Sequence, residues 1–179
     1  VFTINDTEIT MAHTTVSDIV ADGFDIYIKQ RFEPGLDYEE LLSSGVFKKY
    51  PADRSVFVEK GLKYDSDAVP YAQYILVKDD IVIGSITLYG DKVEDVVLED
   101  CKISHLRLDE DCIAAAKANS ISYSLEGIDL LAPLNKEKLI ETFDEKLWYV
   151  PINPKDMTEL RYGIKWTNNS EHIFWNEYL

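Results

Sequence analysis

The chain has 179 residues, of which 46% are hydrophobic and 28% are charged, and this ordinary composition predicts an ordered globular protein with a sizeable core. Its formal net charge of -15 repels phosphate groups, which argues against nucleic-acid binding. No stretch reaches the roughly 18 uncharged apolar residues that a membrane-spanning helix requires, so no membrane span is predicted.

The first predicted elements are a short hairpin and a capped helix. Apolar residues alternate along residues 2–9 on both sides of the turn Asn5-Asp6, which is typical of a tight hairpin. Thr15 and Asp18 have the spacing of a capping box, which predicts that a helix begins there and ends before Gly23.

A second capped helix is predicted at Tyr38–Ser44. Asp37 is a favourable N-cap, Glu40 stands three residues further on, and Gly45 readily adopts the left-handed backbone that ends a helix. The apolar residues of this segment share one face, which indicates that the helix packs against a core.

A β-sheet is predicted at the centre of the chain. Residues 74–88 form two β-branched and aromatic runs separated by Asp79-Asp80, as in a hairpin. The sheet is predicted to continue through residues 96–98 and 101–108. Because the apolar alternation changes phase within the last run, we expect a bulge near Ser104-His105.

Residues 121–143 repeat the order of the first segment, with an extended stretch, a turn, a capped helix and then a phenylalanine. Asn135 is the predicted helix cap. Leu139, Ile140 and Phe143 are predicted to face inward. This self-similarity indicates a duplicated unit rather than a single catalytic fold.

Together these elements predict an α+β protein of two similar halves, each with a short helix packed on antiparallel strands. Residues 109–120 are interpreted as either a short helix or a loop that joins the halves. This places the first unit at residues 1–112 and the second, shorter unit at residues 113–179.

An aromatic-rich hairpin is predicted near the end of the chain, where residues 160–166 and 172–178 flank a polar turn. Since strand side chains alternate between faces, one face packs on a helix and the other is a candidate contact surface for a partner. The alternative is that the same aromatic residues belong to the core. The candidate contact residues are Tyr162, Trp166, Trp175 and Tyr178.

The two cysteines, Cys101 and Cys112, leave two alternatives open. A disulfide would close a short loop and stabilise the fold by about 3 kcal/mol, as suits an exported protein. In a cytosolic protein two buried thiols are expected instead.

No catalytic, metal or cofactor site is predicted. The histidines occur singly, without a second ligand at the spacing of a metal site. Acids such as Glu99 and Asp100 are interpreted as solvated turns and caps, since nothing in the sequence separates their pKa values for acid–base work. The histidines are His13, His105 and His172.

Three segments carry a resemblance: residues 4–10, residues 14–24 and the later stretch 98–104. They resemble a group of uncharacterised exported proteins or lipoproteins of Gram-positive bacteria. In architecture alone, the predicted helix-on-sheet repeats resemble those of β-lactamase-inhibitory proteins. The resemblance implies export and a structural rather than chemical motif, with no catalytic residues to carry over.

The leading functional hypothesis is a non-catalytic binding or scaffold module at the bacterial cell surface, with another protein or an envelope polymer as partner. The alternative is an acidic inhibitor or immunity protein that blocks a basic site. A hydrolase with acids gathered from distant segments is a third, weaker hypothesis. The chain begins at Val1, which suggests a product trimmed of a leader, although a cytoplasmic location is the alternative.

Overall fold

The computed structural model describes residues 1–61, 69–133, 136–143, 147–151, 159–165 and 172–178. For the last three of these ranges only the backbone is described. These residues form an α+β fold with antiparallel sheets and short helices. Their helices are α1 (Val16–Ala21), α2 (Tyr38–Ser43), α3 (Glu110–Ala118) and α4 (Lys136–Phe143). Their strands are β1 (Phe2–Ile4), β2 (Thr7–Ile9), β3 (Asp25–Lys29), β4 (Phe47–Lys49), β5 (Phe57–Val58), β6 (Tyr74–Lys78), β7 (Ile81–Tyr89), β8 (Val96–Val97), β9 (Lys102–Arg107), β10 (Tyr123–Leu125), β11 (Ile128–Asp129), β12 (Leu147–Pro151), β13 (Glu159–Lys165) and β14 (His172–Tyr178).

The chain divides into two compact units, Val1–Leu125 and Glu126–Leu179. This division falls later than the sequence-based boundary at residue 112. The reason is that α3 packs on β7 and β10 pairs with β1, so both elements belong to the first unit.

A five-stranded antiparallel sheet forms the centre of the first unit, in the order β4-β3-β6-β7-β9. The predicted central hairpin is confirmed as β6 and β7, with Lys78 paired to Ile81. Asp79 and Asp80 between them have φ angles of 50° and 62°. A two-residue loop with both φ angles positive matches the right-handed twist of the two strands.

The predicted bulge is also confirmed. Thr87 pairs with His105 and Leu88 pairs with Ile103, so Ser104 is the extra residue of β9. Its hydroxyl donates to the Thr87 carbonyl at 3.0 Å. The extra residue explains why the apolar alternation of the sequence changes phase at this point.

The prediction that residues 96–98 continue this sheet is wrong. Val96 and Val97 form β8, which pairs with β5 in a separate two-stranded ribbon. Residues Leu98–Asp100 then form a 3-10 turn before β9 begins. The sequence shows that these valines favour a strand but does not show which strand they pair with.

The first hairpin is confirmed as β1 and β2, and β1 also pairs with β10. In that second pairing Phe2 faces Leu125, Thr3 faces Ser124 and Ile4 faces Tyr123. Strand β10 belongs to the segment that repeats the first hairpin in sequence. The division into two similar halves stays a prediction.

The predicted capping box of α1 and the predicted N-cap of α2 are confirmed. At the start of α1 the Thr15 N–H donates to the Asp18 carboxylate at 2.9 Å, and the Asp18 N–H donates to the Thr15 hydroxyl at 3.2 Å. Asp37 and Glu40 form the same reciprocal pair at α2, at 2.8 and 3.0 Å. Each pair satisfies two backbone donors that a helix start leaves open, which fixes where these short helices begin.

The core of the first unit includes a cluster in which α2 and α3 contribute to one face of the five-stranded sheet. Leu41 of α2 and Cys112 of α3 are buried there. The remaining buried members come from the sheet strands and the segments beside them: Val46, Phe47, Val69, Ala72, Ile75, Val77 and Val82.

In the second unit, the helix and the hairpin predicted from the sequence are present as α4 and as β13 paired with β14. Strand β12 adds a third antiparallel strand that the sequence did not predict. Phe143 is buried as expected, but Ile140 is 44% exposed, so the prediction that it faces inward is wrong. The predicted cap Asn135 lies outside the described residues.

Candidate functional site

The aromatic residues predicted as partner contacts lie in the second unit. In the hairpin of β13 and β14, Tyr162 is the register partner of Trp175, and Tyr178 is the register partner of Glu159. Trp166 lies outside the described residues. The backbone register thus pairs two of the four candidates, and their role in contact stays a prediction.

The two cysteines are free, buried thiols in this structure, so the disulfide that the sequence left open is not formed in it. The Cys101 thiol donates to the carbonyl of Val97 at 3.4 Å, and burial raises its pKa to about 11. Burial raises the pKa of the Cys112 thiol further. A buried thiol with a raised pKa is a poor nucleophile, because the reactive thiolate is disfavoured.

The described residues contain no group of three or more His, Cys, Asp or Glu side chains arranged to hold a metal ion. His13 is exposed beside α1, and His105 is exposed on β9, where its Nδ1 lies 3.2 Å from the Ser104 hydroxyl. His172 belongs to β14 as the register partner of Lys165. Among the helices of the described residues, none is both long and apolar enough to cross a membrane.

A buried carboxylate lies beneath the segment that joins β4 to β5. Glu99 is only 4% exposed, and its Oε1 accepts hydrogen bonds from the Tyr50 hydroxyl at 2.9 Å and from the Arg54 N–H at 2.8 Å. Its Oε2 is buried without a hydrogen-bond partner among the described residues. The interpretation of Glu99 as a solvated acid is therefore wrong. Its neighbour Asp100 is exposed, as expected.

The segment held by Glu99 has a strained backbone. Ala52 and Arg54 have φ angles of 52° and 60°, a region that residues with a Cβ rarely adopt. The Arg54 guanidinium forms two parallel hydrogen bonds with the Asp100 carboxylate, at 3.0 and 2.7 Å. Such strain persists only where surrounding contacts fix the backbone, and it is common at functional surfaces.

A stacked pair of exposed aromatic rings lies beside the end of β3 and the start of β6, two neighbouring strands of the five-stranded sheet. Phe32 is 53% exposed and Tyr71 is 48% exposed, and their ring centroids are 5.1 Å apart at an interplanar angle of 28°. Large apolar side chains are exposed at few other described positions. We refer to Phe32 and Tyr71 as the aromatic pair.

The sheet topology brings the aromatic pair together. Phe32 follows the end of β3, and Tyr71 precedes the start of β6, which is the antiparallel neighbour of β3. A hydrogen bond of 2.9 Å from the Lys29 N–H to the Gln73 carbonyl extends this ladder toward the pair. Residues far apart in sequence therefore meet where these two strands end.

The segment that carries Phe32 is fixed by Arg31. Its guanidinium donates to the carbonyls of Ser44 and Gly45 at the end of α2, at 3.1 and 3.3 Å, and to the Glu33 carboxylate at 3.0 Å. Lys29 also donates its ammonium group to the Tyr71 carbonyl. Lys29 and Arg31 thus fix the two segments that carry the aromatic pair, and of the two only the Arg31 charge is paired with a carboxylate in these contacts.

Sequence reasoning missed the aromatic pair and the burial of Glu99. Phe32 and Tyr71 stand in turn-like segments without periodicity, and only the pairing of β3 with β6 joins them. Glu99 is followed by a second acidic residue, Asp100, and such a polar pair predicts an exposed turn rather than a buried side chain. A tyrosine or an arginine at a distance in sequence gives no local signal of a buried hydrogen bond.

Comparisons with known proteins add no relative: no protein-family model, no curated protein and no solved structure matches the chain.

Proposed function

We propose that the chain is a non-catalytic binding module of the bacterial cell envelope, and that the aromatic pair contacts an anionic envelope polymer. The observation that carries the proposal is the exposure of two stacked rings. Side chains of this size are usually buried, so an exposed cluster of them marks a contact site more often than a lone exposed residue does.

The aromatic pair is suited to binding because its position is fixed before a partner arrives. Arg31 ties the Phe32 segment to the end of α2, and Lys29 bonds the backbone of Tyr71. A surface that is already ordered loses little conformational entropy on binding, so more of its contact energy appears as affinity. Aromatic rings also offer flat apolar faces on which the apolar face of a sugar ring or another ring can stack.

The local charge favours an anionic partner over a neutral one. Lys29 places a positive charge beside the pair, whereas the Arg31 charge is paired with Glu33 and the chain as a whole repels anions. The Lys29 ammonium group donates to the Tyr71 carbonyl, which carries no net charge, so this hydrogen bond does not neutralise the lysine. A phosphate or carboxylate group of an envelope polymer could therefore pair with the Lys29 ammonium group while the rings contact the neighbouring part of the polymer.

Co-sedimentation with purified Gram-positive cell walls tests the proposal. The wild-type chain is expected to bind walls that retain their anionic polymers and to bind acid-stripped walls more weakly. The double variant Phe32→Ser/Tyr71→Ser is expected to lose about tenfold in affinity, which corresponds to roughly 1.4 kcal/mol. Phe57→Ser removes an exposed aromatic ring elsewhere and is the matched control.

Two results would contradict the proposal. One is wild-type protein that stays in the supernatant with both kinds of wall. The other is a double variant that sediments as wild type does while its thermal unfolding is unchanged. Binding that survives acid stripping and still needs the aromatic pair would point to a protein or to the glycan strand instead of the anionic polymer.

A further inference from the structure

We infer that the ribbon of β5 and β8 is a second interaction surface, and that it fits a basic protein partner. The ribbon has two unlike faces. Val58 is 8% exposed and faces inward, whereas its neighbour Phe57 is 59% exposed and faces outward. Their respective partners Val96 and Val97 are both half-buried. An aromatic ring presented outward on a short paired strand is typical of the residues that dominate protein interfaces.

Hydrogen bonds hold the far end of the ribbon in place. The Lys60 N–H donates to the Asp95 carboxylate at 3.0 Å, and the Gly61 N–H donates to the Asp91 carbonyl at 2.8 Å. The Asp91 carboxylate in turn accepts a hydrogen bond from the Val93 N–H at 2.7 Å, which fixes the turn that contains Val93. The Val93 side chain is 77% exposed. The ribbon therefore ends in a second outward apolar side chain.

The near end of the ribbon is fixed by Glu99. Its Oε1 bonds the N–H of Arg54, three residues before Phe57, and the Leu98 N–H donates to the Val56 carbonyl at 2.8 Å. These contacts maintain the positive φ of Arg54, whose side chain pairs with Asp100 and is 57% exposed. Arginine and aromatic residues close together on a rigid backbone are common at the centre of interfaces.

Charge complementarity identifies the partner as basic. In the segments that flank β5 and β8 carboxylates outnumber basic side chains six to three, and the Arg54–Asp100 pair cancels one charge of each sign, which leaves five carboxylates against two lysines. A surface of this kind attracts a positively charged partner, and the apolar side chains then contact it directly. The carboxylates are Asp53, Glu59, Asp91, Glu94, Asp95 and Asp100, and the basic residues are Arg54, Lys60 and Lys92.

This surface is made of other residues than the aromatic pair, and the inference does not depend on the proposed envelope binding. Its test uses a fluorescent peptide of alternating lysine and leucine as a probe that is both basic and apolar. Fluorescence anisotropy is measured with the whole chain at low salt and at about 0.15 M salt, where exposed charges more than about 8 Å apart are largely screened.

Wild type is expected to bind the peptide, Phe57→Ser to weaken binding about fivefold, and Glu94→Lys to weaken it about tenfold. Glu8→Lys changes the net charge equally at an exposed position of β2, and Phe32→Ser removes an exposed ring of the aromatic pair. Both controls are expected to bind within about twofold of wild type.

Three outcomes would overturn the inference: no binding by wild type, equal losses for Glu94→Lys and Glu8→Lys, or wild-type affinity in a folded Phe57→Ser variant. Equal losses would mean that the peptide follows net charge rather than the ribbon. Thermal unfolding of each variant shows whether it is folded.

Discussion

Tyr50 and Glu99 meet in the interior of the first unit, where the tyrosine hydroxyl donates to Oε1 of the carboxylate at 2.9 Å. Both residues are buried, and Oε2 of Glu99 is left without a partner in the described part of the chain. The pair joins the end of β4 to the 3-10 turn before β9 and supports the strained segment at Arg54.

Replacing Tyr50 with phenylalanine is expected to lower the free energy of unfolding by about 1–3 kcal/mol, because it removes one of the donors that satisfy a buried carboxylate. Urea unfolding followed by circular dichroism measures the change. Tyr71→Phe is the matched control and is expected to be neutral within about 0.5 kcal/mol, since its ring is half exposed. A Tyr50→Phe variant as stable as wild type would mean that the hydrogen bond contributes nothing.

Stability is expected to fall at alkaline pH. Burial raises the pKa values of Tyr38, Tyr50, Tyr123 and Cys112 above the ordinary values of 10.0 for tyrosine and 9.0 for cysteine. A raised folded-state pKa means that the folded chain holds these protons more tightly than the unfolded chain does. These groups therefore contribute their full stabilisation of the folded state below about pH 9. That stabilisation is lost as the pH rises from the unfolded-state pKa values towards the raised folded-state values.

Urea unfolding at intervals between pH 7 and pH 11 measures this loss. Tyr123→Phe removes one of the groups and is expected to make the alkaline decline shallower, although it also removes the hydroxyl that donates to Ile83. A free energy of unfolding that stays constant up to pH 11 would refute the assignment of these groups as buried.

Asp80→Gly is expected to stabilise the first unit by about 0.5–1 kcal/mol. Asp79 and Asp80 both have positive φ angles in the two-residue turn between β6 and β7, and glycine adopts that backbone without steric cost. The Asp-Gly dipeptide is favoured in such turns. Thermal unfolding should show a higher midpoint, and a lower one would mean that the Asp80 side chain itself stabilises the turn.

The two cysteines are expected to be unreactive toward a thiol reagent in the native protein and to react fully after unfolding in guanidinium chloride, because both are buried. Counting the thiols released on unfolding checks this directly. Two thiols are expected from protein purified without reductant, whereas none would show that Cys101 and Cys112 are joined as a disulfide.

Local signals in the sequence were sufficient for the parts of the fold that depend on neighbouring residues. The capping boxes at Thr15 and Asp37 fixed the starts of two helices, since cap and first turn are only three residues apart. The change of phase at Ser104 identified a bulge, because strand side chains alternate strictly between faces.

Features that depend on long-range pairing could not be predicted in this way. The aromatic pair exists because β3 and β6 are neighbours, and the ribbon exists because β8 pairs with β5 rather than extending the central sheet. The burial of Glu99 likewise depends on Tyr50 and Arg54, which are distant in sequence. Composition and periodicity carry no information about which distant strands or side chains meet.

The most direct test of the proposed function compares the cell-wall affinities of two single variants that each remove one exposed phenylalanine. Phe32→Ser is expected to bind walls that retain their anionic polymers several-fold more weakly than wild type, and Phe57→Ser is expected to bind them as wild type does. Equal affinities for the two folded variants, or a loss confined to Phe57→Ser, would contradict the assignment of the aromatic pair as the envelope-binding surface.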